Sequence, residues 1–106
     1  MEKDVVMSKK LTRELRFVLV RSANAGVHFG YLKSESADGT RVDLMGARRI
    51  WQWFGAKTLS EVSQSGIDTE KSKVSCEVPE ITVTGVCEIH TVSCAAKCKL
   101  ECATWK

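Results

Sequence analysis

Hydrophobic and polar residues alternate along the first half of the chain with the two-residue period of a β-strand. The run Glu14–Arg21 shows this alternation and is rich in β-branched and aromatic residues, and Val27–Leu32 repeats it. Asp38-Gly39 lies between Val27–Leu32 and the strand that begins at Val42. It is a strong hairpin signal, because both residues tolerate a positive φ. A third strand begins at Val42, and the extended pattern resumes over Arg48–Phe54. The first half of the chain therefore predicts three strands.

The next segment carries the signals of a short helix. The run TLSE at 58–61 fits a capping box, in which the Thr58 side chain accepts from the Glu61 amide and the Glu61 carboxylate accepts from the Thr58 amide. Gly66 would then end the helix after about two turns.

Strand character returns in the last third of the chain, which ends in a second helix. Val74–Val78 and Ile81–Thr91 are rich in β-branched residues, and Gly85 within the second run marks a bulge or a bend. A helix then runs over Ser93–Ala103, with the serine as its N-cap and good helix formers behind it. The order of elements predicts an α+β, β-rich fold: a small antiparallel sheet or partly open barrel with one short helix and a C-terminal helix.

The length of the chain sets its domain organisation. With 106 residues it has room for one domain and one core. Residues 1–12 are polar and unpatterned, so we expect a mobile N-terminal tail there and a single globular domain over 13–106. Strand edges stay exposed in so small a β-rich domain, and for that reason we expect a homo-oligomer.

The charge and the hydropathy of the chain argue against two classes of partner. The net charge is +3, from 16 basic and 13 acidic residues, and this excess is too small to indicate nucleic-acid binding. No run approaches the roughly 18 apolar residues that a membrane span requires. The first residues also lack the features of a signal peptide. We therefore expect a cytoplasmic protein that does not enter membranes.

The five cysteines predict neither a disulfide nor a metal site. They are an odd number in a chain expected to stay in a reducing compartment. Three of them recur every four residues on the terminal helix and would span about 12 Å, too far for one zinc ion. We expect no metal and no cofactor, and we expect these small side chains to pack the helix onto the sheet. The cysteines are Cys76, Cys87, Cys94, Cys98 and Cys102.

The segment ARRIWQWFGA at 47–56 holds the main candidates for ligand contact. If it is extended, Arg49, Trp51 and Trp53 share one face and Arg48 lies on the other. Indole surfaces beside guanidinium groups can stack on a base and pair with a phosphate. The alternative is that the tryptophans fill the core or an oligomer interface.

His28 is a further candidate, because Gly26 and Gly30 flank it. Glycine lets a ligand or another backbone approach closely, and an imidazole can donate to a phosphate or a carbonyl. The alternative is a strand histidine that faces solvent. No catalytic motif accompanies these residues, since the chain has no nucleophile elbow, P-loop, dinucleotide-binding fingerprint or zinc-protease motif. We therefore expect a binding protein rather than an enzyme.

The segments that carry these candidates resemble a family of small phage and prophage proteins. The shared residues are Arg-Ser-Ala-x-Ala-Gly-Val-His-x-Gly at 21–30, Ala-Arg-Arg-Ile-Trp-x-Trp-x-Gly-Ala-x-Thr-Leu-Ser-Glu at 47–61 and Val-Pro-Glu-Ile at 78–81. The resemblance covers most of the chain from about residue 14, but not the cysteines of the terminal helix. It implies a viral accessory protein that acts in the cytosol of a host bacterium.

Small phage proteins of this kind often counter host defence, in some cases by sequestering the nucleotide signals that trigger it. We therefore hypothesise an oligomeric sponge that binds a nucleotide-like signal without cleaving it. The first alternative is an inhibitor that binds a host defence protein. Single-stranded nucleic-acid binding and a small phosphodiesterase follow as weaker alternatives.

Overall fold

The computed structural model describes residues 15–103, so the predicted tail at 1–12 lies outside the described residues. Six strands and two helices follow one another in this part of the chain. They are β1 (Phe17–Ser22), β2 (Gly26–Glu35), β3 (Val42–Gln52), α1 (Leu59–Ser65), β4 (Lys73–Val74), β5 (Val78–Val83), β6 (Val86–Thr91) and α2 (Cys94–Cys102). The predicted β-rich α+β fold, with one short and one C-terminal helix, is confirmed. Across residues 15–103, no helix has the length and apolar character of a membrane span.

All six strands belong to one antiparallel sheet, with the order β4-β3-β2-β1-β6 and with β5 paired to β3. The long strand β3 takes two neighbours on one edge: β5 along Val42–Ala47 and β4 along Ile50–Gln52. Gly85, which has a φ of 68°, divides the run expected as one strand over 81–91 into β5 and β6. Because β5 pairs with β3 and β6 pairs with β1, the sheet is open rather than a closed barrel.

The two faces of the sheet cover two separate cores, and β1 contributes to both. Alternate residues of β1 enter different cores because successive side chains on a strand point in opposite directions. The first core, which also takes in both helices, contains Phe17, Leu19, Phe29, Ile50, Leu59, Val62, Ile67, Val74, Leu100 and Ala103. The second core contains Val18, Val20, Val42, Leu44, Ala47, Val83 and Val86.

The predicted start and end of α1 are confirmed, with one change in its cap. The Thr58 hydroxyl accepts from the Glu61 amide at 3.2 Å, and the Gly66 amide donates to the Val62 carbonyl at 2.8 Å. The reciprocal bond of the expected capping box does not form. The Glu61 carboxylate instead accepts from the amide of Lys57, one residue earlier, at 2.8 Å.

The connection between β2 and β3 turns at Gly39 alone. Gly39 has a φ of 75°, and within residues 15–103 every positive φ belongs to a glycine. The hairpin predicted at Asp38-Gly39 is confirmed by the antiparallel pairing of β2 with β3, although the connection is longer than a two-residue turn and Asp38 does not adopt a positive φ. The Asp38 carboxylate instead accepts from the Ser36 hydroxyl and from the amide and hydroxyl of Thr40. These hydrogen bonds lower the pKa of Asp38 to about 2.

The cysteines of α2 do not pack the helix onto the sheet, contrary to expectation. Ala96 and Leu100 are the buried residues of this helix, and Ala103 follows them at the spacing of one helix face. Cys94, Cys98 and Cys102 are exposed and free, as are Cys76 and Cys87. The helix therefore docks through alanine and leucine and leaves its thiols in solvent.

Arg48 fastens the end of α2 to the sheet. Its side chain points from β3 toward the first core, where Nη1 donates to the carbonyls of Leu100 and Glu101 at 3.3 and 3.1 Å. Nη2 donates to the Ala103 carbonyl at 2.6 Å, and Nε donates to the Ser75 carbonyl at 2.7 Å. One guanidinium thus joins β3, the segment after β4 and the C-terminal end of α2.

We expect Arg48→Ala to lower the free energy of unfolding by at least about 2 kcal/mol, because it leaves several part-buried carbonyls without a donor. Urea denaturation measures this change. Arg41→Ala, at an exposed position in the connection between β2 and β3, is the matched control and should stay within about 0.5 kcal/mol of the wild type. An unchanged urea midpoint for Arg48→Ala would contradict the structural role of the guanidinium.

Candidate functional site

The structure separates the residues that the sequence grouped as one ligand-contact cluster. Arg48 faces the first core, whereas Arg49, the next residue, is exposed on the opposite face of β3. His28 on β2 is the Cα partner of Arg49, so the two lie side by side across the strand pair. The predicted opposition of Arg48 and Arg49 is therefore observed, and it leaves Arg49 as the arginine available to a ligand.

The two tryptophans do not share a face, contrary to expectation. Trp51 is 62% exposed. Trp53 packs against the first core, and its indole N–H donates to the Ala56 carbonyl at 3.2 Å. The difference arises because β3 ends at Gln52, so the two-residue alternation does not continue to position 53. Trp53 is therefore a structural residue, and Trp51 is the aromatic candidate for ligand contact.

The main chain of Arg49 is fixed, and its side chain lies over Gly26. Its amide donates to the Ser75 hydroxyl at 2.9 Å, and its carbonyl accepts from the Ser75 amide at 2.9 Å. A Cβ added at Gly26 would lie 3.2 Å from Arg49 Nη2, so the glycine leaves the space in which the guanidinium rests. Within residues 15–103, the Arg49 guanidinium forms no ion pair.

His28 is buried, with 4% of its surface exposed, rather than facing solvent. Its Nε2 lies 2.8 Å from the Ala25 carbonyl, to which the neutral imidazole donates. Burial lowers the pKa of His28; the hydrogen bond to Ala25 opposes this effect, and the charge of Arg49 adds to it. The imidazole at this position is therefore uncharged at neutral pH.

Gly30 serves the sheet rather than leaving room for a ligand. A Cβ at this position would lie 3.0 Å from the Met45 carbonyl oxygen and 3.1 Å from the Ala47 Cα. The strands approach closely here because the pairing of β2 with β3 changes register between Phe29 and Tyr31. The backbone that the glycine admits is that of β3.

A cavity of about 170 Å³ lies beside Arg49 and is lined in part by His28, Ser75 and Cys76. Sequence reasoning missed Ser75 and Cys76, because they follow β4 and reach β3 only through strand pairing. No motif marks them, and the only local signal is the short β-branched run that contains them. The volume is below the roughly 300–1,000 Å³ of ordinary ligand pockets, so the cavity holds part of a ligand at most.

The side chains of this site can contact a ligand through a positive charge and through an aromatic ring. Arg49 offers a cation, Trp51 offers an exposed aromatic surface, and the cavity beside Arg49 offers a small recess whose lining includes the apolar residues Ala47, Val78 and Ile81. In the described part of the chain, no three histidine, cysteine or acidic side chains come together as a metal site. An anionic group on an aromatic or heterocyclic body matches this arrangement, since the cation and the ring contact its two parts.

We expect the free energy of unfolding to fall as the pH drops below about 6.5, because the unfolded state then protonates His28 more readily than the folded state does. The stabilisation that comes from keeping His28 neutral in the folded state is fully present above the pKa of the unfolded state, and it is lost as the pH falls below that value. Urea denaturation at pH 7.5 and 5.5 measures the loss. His28→Gln removes the titrating group, so the difference between the two pH values should be smaller in the variant. If the free energy of unfolding falls by the same amount between pH 7.5 and pH 5.5 in the wild type and in His28→Gln, His28 is not the group responsible.

Comparison with known proteins places the chain in a family without revealing its activity. Residues 15–100 match the model of the family described as a domain of unknown function, DUF6948. No curated protein matches the chain, and no solved structure matches it. The matched region contains all six strands, α1, most of α2 and every residue of the candidate site. The chain therefore belongs to the DUF6948 family.

Proposed function

We propose that this protein binds a nucleotide-like ligand and sequesters it without cleaving it. The observation that carries the proposal is the position of Arg49 and Trp51. They lie two residues apart on β3 and are both exposed; Arg49 lines the cavity together with His28, and Trp51 lies outside its lining. A guanidinium pairs with phosphate oxygens through two parallel hydrogen bonds, and an indole stacks on a base.

The small cavity indicates how such a ligand would be held. A volume of about 170 Å³ accepts one end of a nucleotide, and the rest would extend over the exposed surface at Trp51. A second copy of the chain could cover that surface, which is why homo-oligomerisation belongs to the proposal. The edges of the sheet at β4, β5 and β6 support it, because strand edges offer unpaired backbone groups to a partner.

The biological setting we propose is the cytosol of a bacterium that carries a phage or prophage. It rests on the resemblance of segments 21–30 and 47–61 to small phage proteins. In that setting the ligand would be a nucleotide signal of host defence, and binding without cleavage would lower its free concentration.

We expect calorimetry with cyclic and linear signalling nucleotides to find at least one that the full chain binds. Arg49→Ala and Trp51→Ala should each weaken binding about tenfold or more, because they remove the phosphate contact and the stacking surface. Both variants should keep the wild-type melting temperature, since the two side chains are exposed.

Arg41→Ala and Phe54→Ala are the matched controls: Arg41 is an exposed arginine away from the cavity, and Phe54 is an exposed aromatic residue beyond the end of β3. Both should bind like the wild type, and mass spectrometry should recover the ligand unchanged. The proposal fails if no nucleotide binds, or if Arg41→Ala weakens binding as much as Arg49→Ala. Recovery of a cleaved ligand would replace sequestration by catalysis.

A second function, inhibition of a host defence protein, is favoured by one observation. Trp51, Phe54 and Val78 are large hydrophobic residues exposed to 62%, 42% and 37%. Exposed tryptophan and arginine side chains are common hot spots of protein interfaces. A pull-down from host lysate tests this function, and here both Trp51→Ala and Phe54→Ala should lose the partner. Loss with Trp51→Ala alone would instead favour the nucleotide site.

A further inference from the structure

A second and larger cavity lies on the other face of the sheet, between β3 and the end of α2. Its volume is about 510 Å³, within the range of ordinary ligand pockets. Its lining includes Phe17 and Phe29 together with the carboxylate-bearing residues Glu77 and Glu101. We propose that this cavity binds an organic cation, an ammonium or guanidinium group on a short apolar stem. This cavity adjoins the smaller one, since Arg48 and Cys76 line both, but the proposal does not depend on nucleotide binding.

The charges of the lining favour a positive ligand. Arg48 is the basic residue of the lining, and its guanidinium donates to main-chain carbonyls that include those at the negative end of α2. Its charge is therefore directed at the helix terminus. Neither Glu77 nor Glu101 forms an ion pair with any residue of the described chain. Glu101 already interacts with the ammonium group of Lys97, whose pKa it helps to raise. Glu77 is therefore the carboxylate that is more open to a cation in the cavity.

The aromatic residues of this region already hold cationic side chains. Lys97 Nζ lies 5.3 Å from the ring centroid of Phe17 and 4.8 Å from that of Tyr31. The guanidinium carbon of Arg48 lies 5.9 Å from the centroid of Phe29. These are distances at which the negative face of a ring attracts a cation. An alkylammonium group and a guanidinium group of the protein thus already lie over these rings, and both phenylalanines are buried. A ligand cation would therefore pair with the carboxylates, and the rings would contact its apolar stem.

The glycine at position 46 shapes the rim of this cavity. Gly46 has a φ of 57°, and a Cβ there would lie 3.6 Å from Glu77 Oε1. The carboxylate therefore lies close over the backbone of β3, at the point where the strand bulges. This places one negative group directly at the cavity, while Glu101 approaches from α2.

The stem and the charge could come from a free amine or from a basic side chain of a peptide. Titration of the ¹⁵N-labelled full chain with agmatine, followed by NMR, tests the shared chemistry. Agmatine should cause saturable shifts of the amides of Gly46, Cys76, Glu77 and Glu101. Neutral 1-pentanol should cause no saturable shift at the same concentrations. N-acetyl-arginine amide then separates the two sources, because it binds more tightly than agmatine only if a peptide side chain is the natural occupant.

Glu77→Gln and Glu101→Gln keep the size of each side chain and remove its charge. Each should weaken agmatine binding about tenfold, whereas Glu70→Gln, at an exposed position outside the lining, should bind like the wild type. Wild-type spectra for the free variants would show that they fold. The proposal is overturned if neither agmatine nor N-acetyl-arginine amide gives a saturable shift, or if both glutamine variants bind agmatine as tightly as the wild type.

Discussion

The hydrogen bonds from the Arg48 guanidinium to the end of α2 are the interaction on which the rest of this structure depends. The last carbonyls of a helix have no partner within the helix, and here one cation on β3 supplies donors to three carbonyls at that end. The same group donates to the segment after β4. A lysine would not replace it, since a single ammonium lacks the planar set of donors that reaches several carbonyls at once. Without this connection, the end of α2 would be held to the first core mainly by Leu100 and Ala103.

Because Arg48 binds the end of α2, the side chains beside it on β3 and around the two cavities are the ones that can contact a ligand. On one face of β3, Arg49 remains exposed beside His28, and a small cavity adjoins both. On the other face, the large cavity keeps two carboxylates and two phenylalanine rings. The two proposed sites therefore adjoin across β3: Arg48 and Cys76 line both cavities, while Arg49 lines only the small one and the two glutamates line only the large one.

Much of the fold could be predicted from the sequence, because its signals are local. The alternation in β1, the Thr58 cap with Gly66 behind it, and the Ser93 cap all depend on residues close together in the chain. The candidate site could be predicted only in part. The opposition of Arg48 and Arg49 follows from strand geometry, but the carbonyls that Arg48 binds at the end of α2 lie more than fifty residues away in the chain. The core position of Trp53 and the presence of Ser75 beside Arg49 likewise depend on where β3 ends and what pairs with it.

The exposure of all five thiols has a consequence for how the assembly of this protein is studied. Thiols in solvent form bonds between molecules once a sample is oxidised, and α2 alone presents Cys94, Cys98 and Cys102. Covalent dimers and larger species would then appear whether or not the folded surfaces recognise each other. An oligomer that disappears in the presence of a reductant reports the cysteines, and one that persists reports contacts between folded subunits.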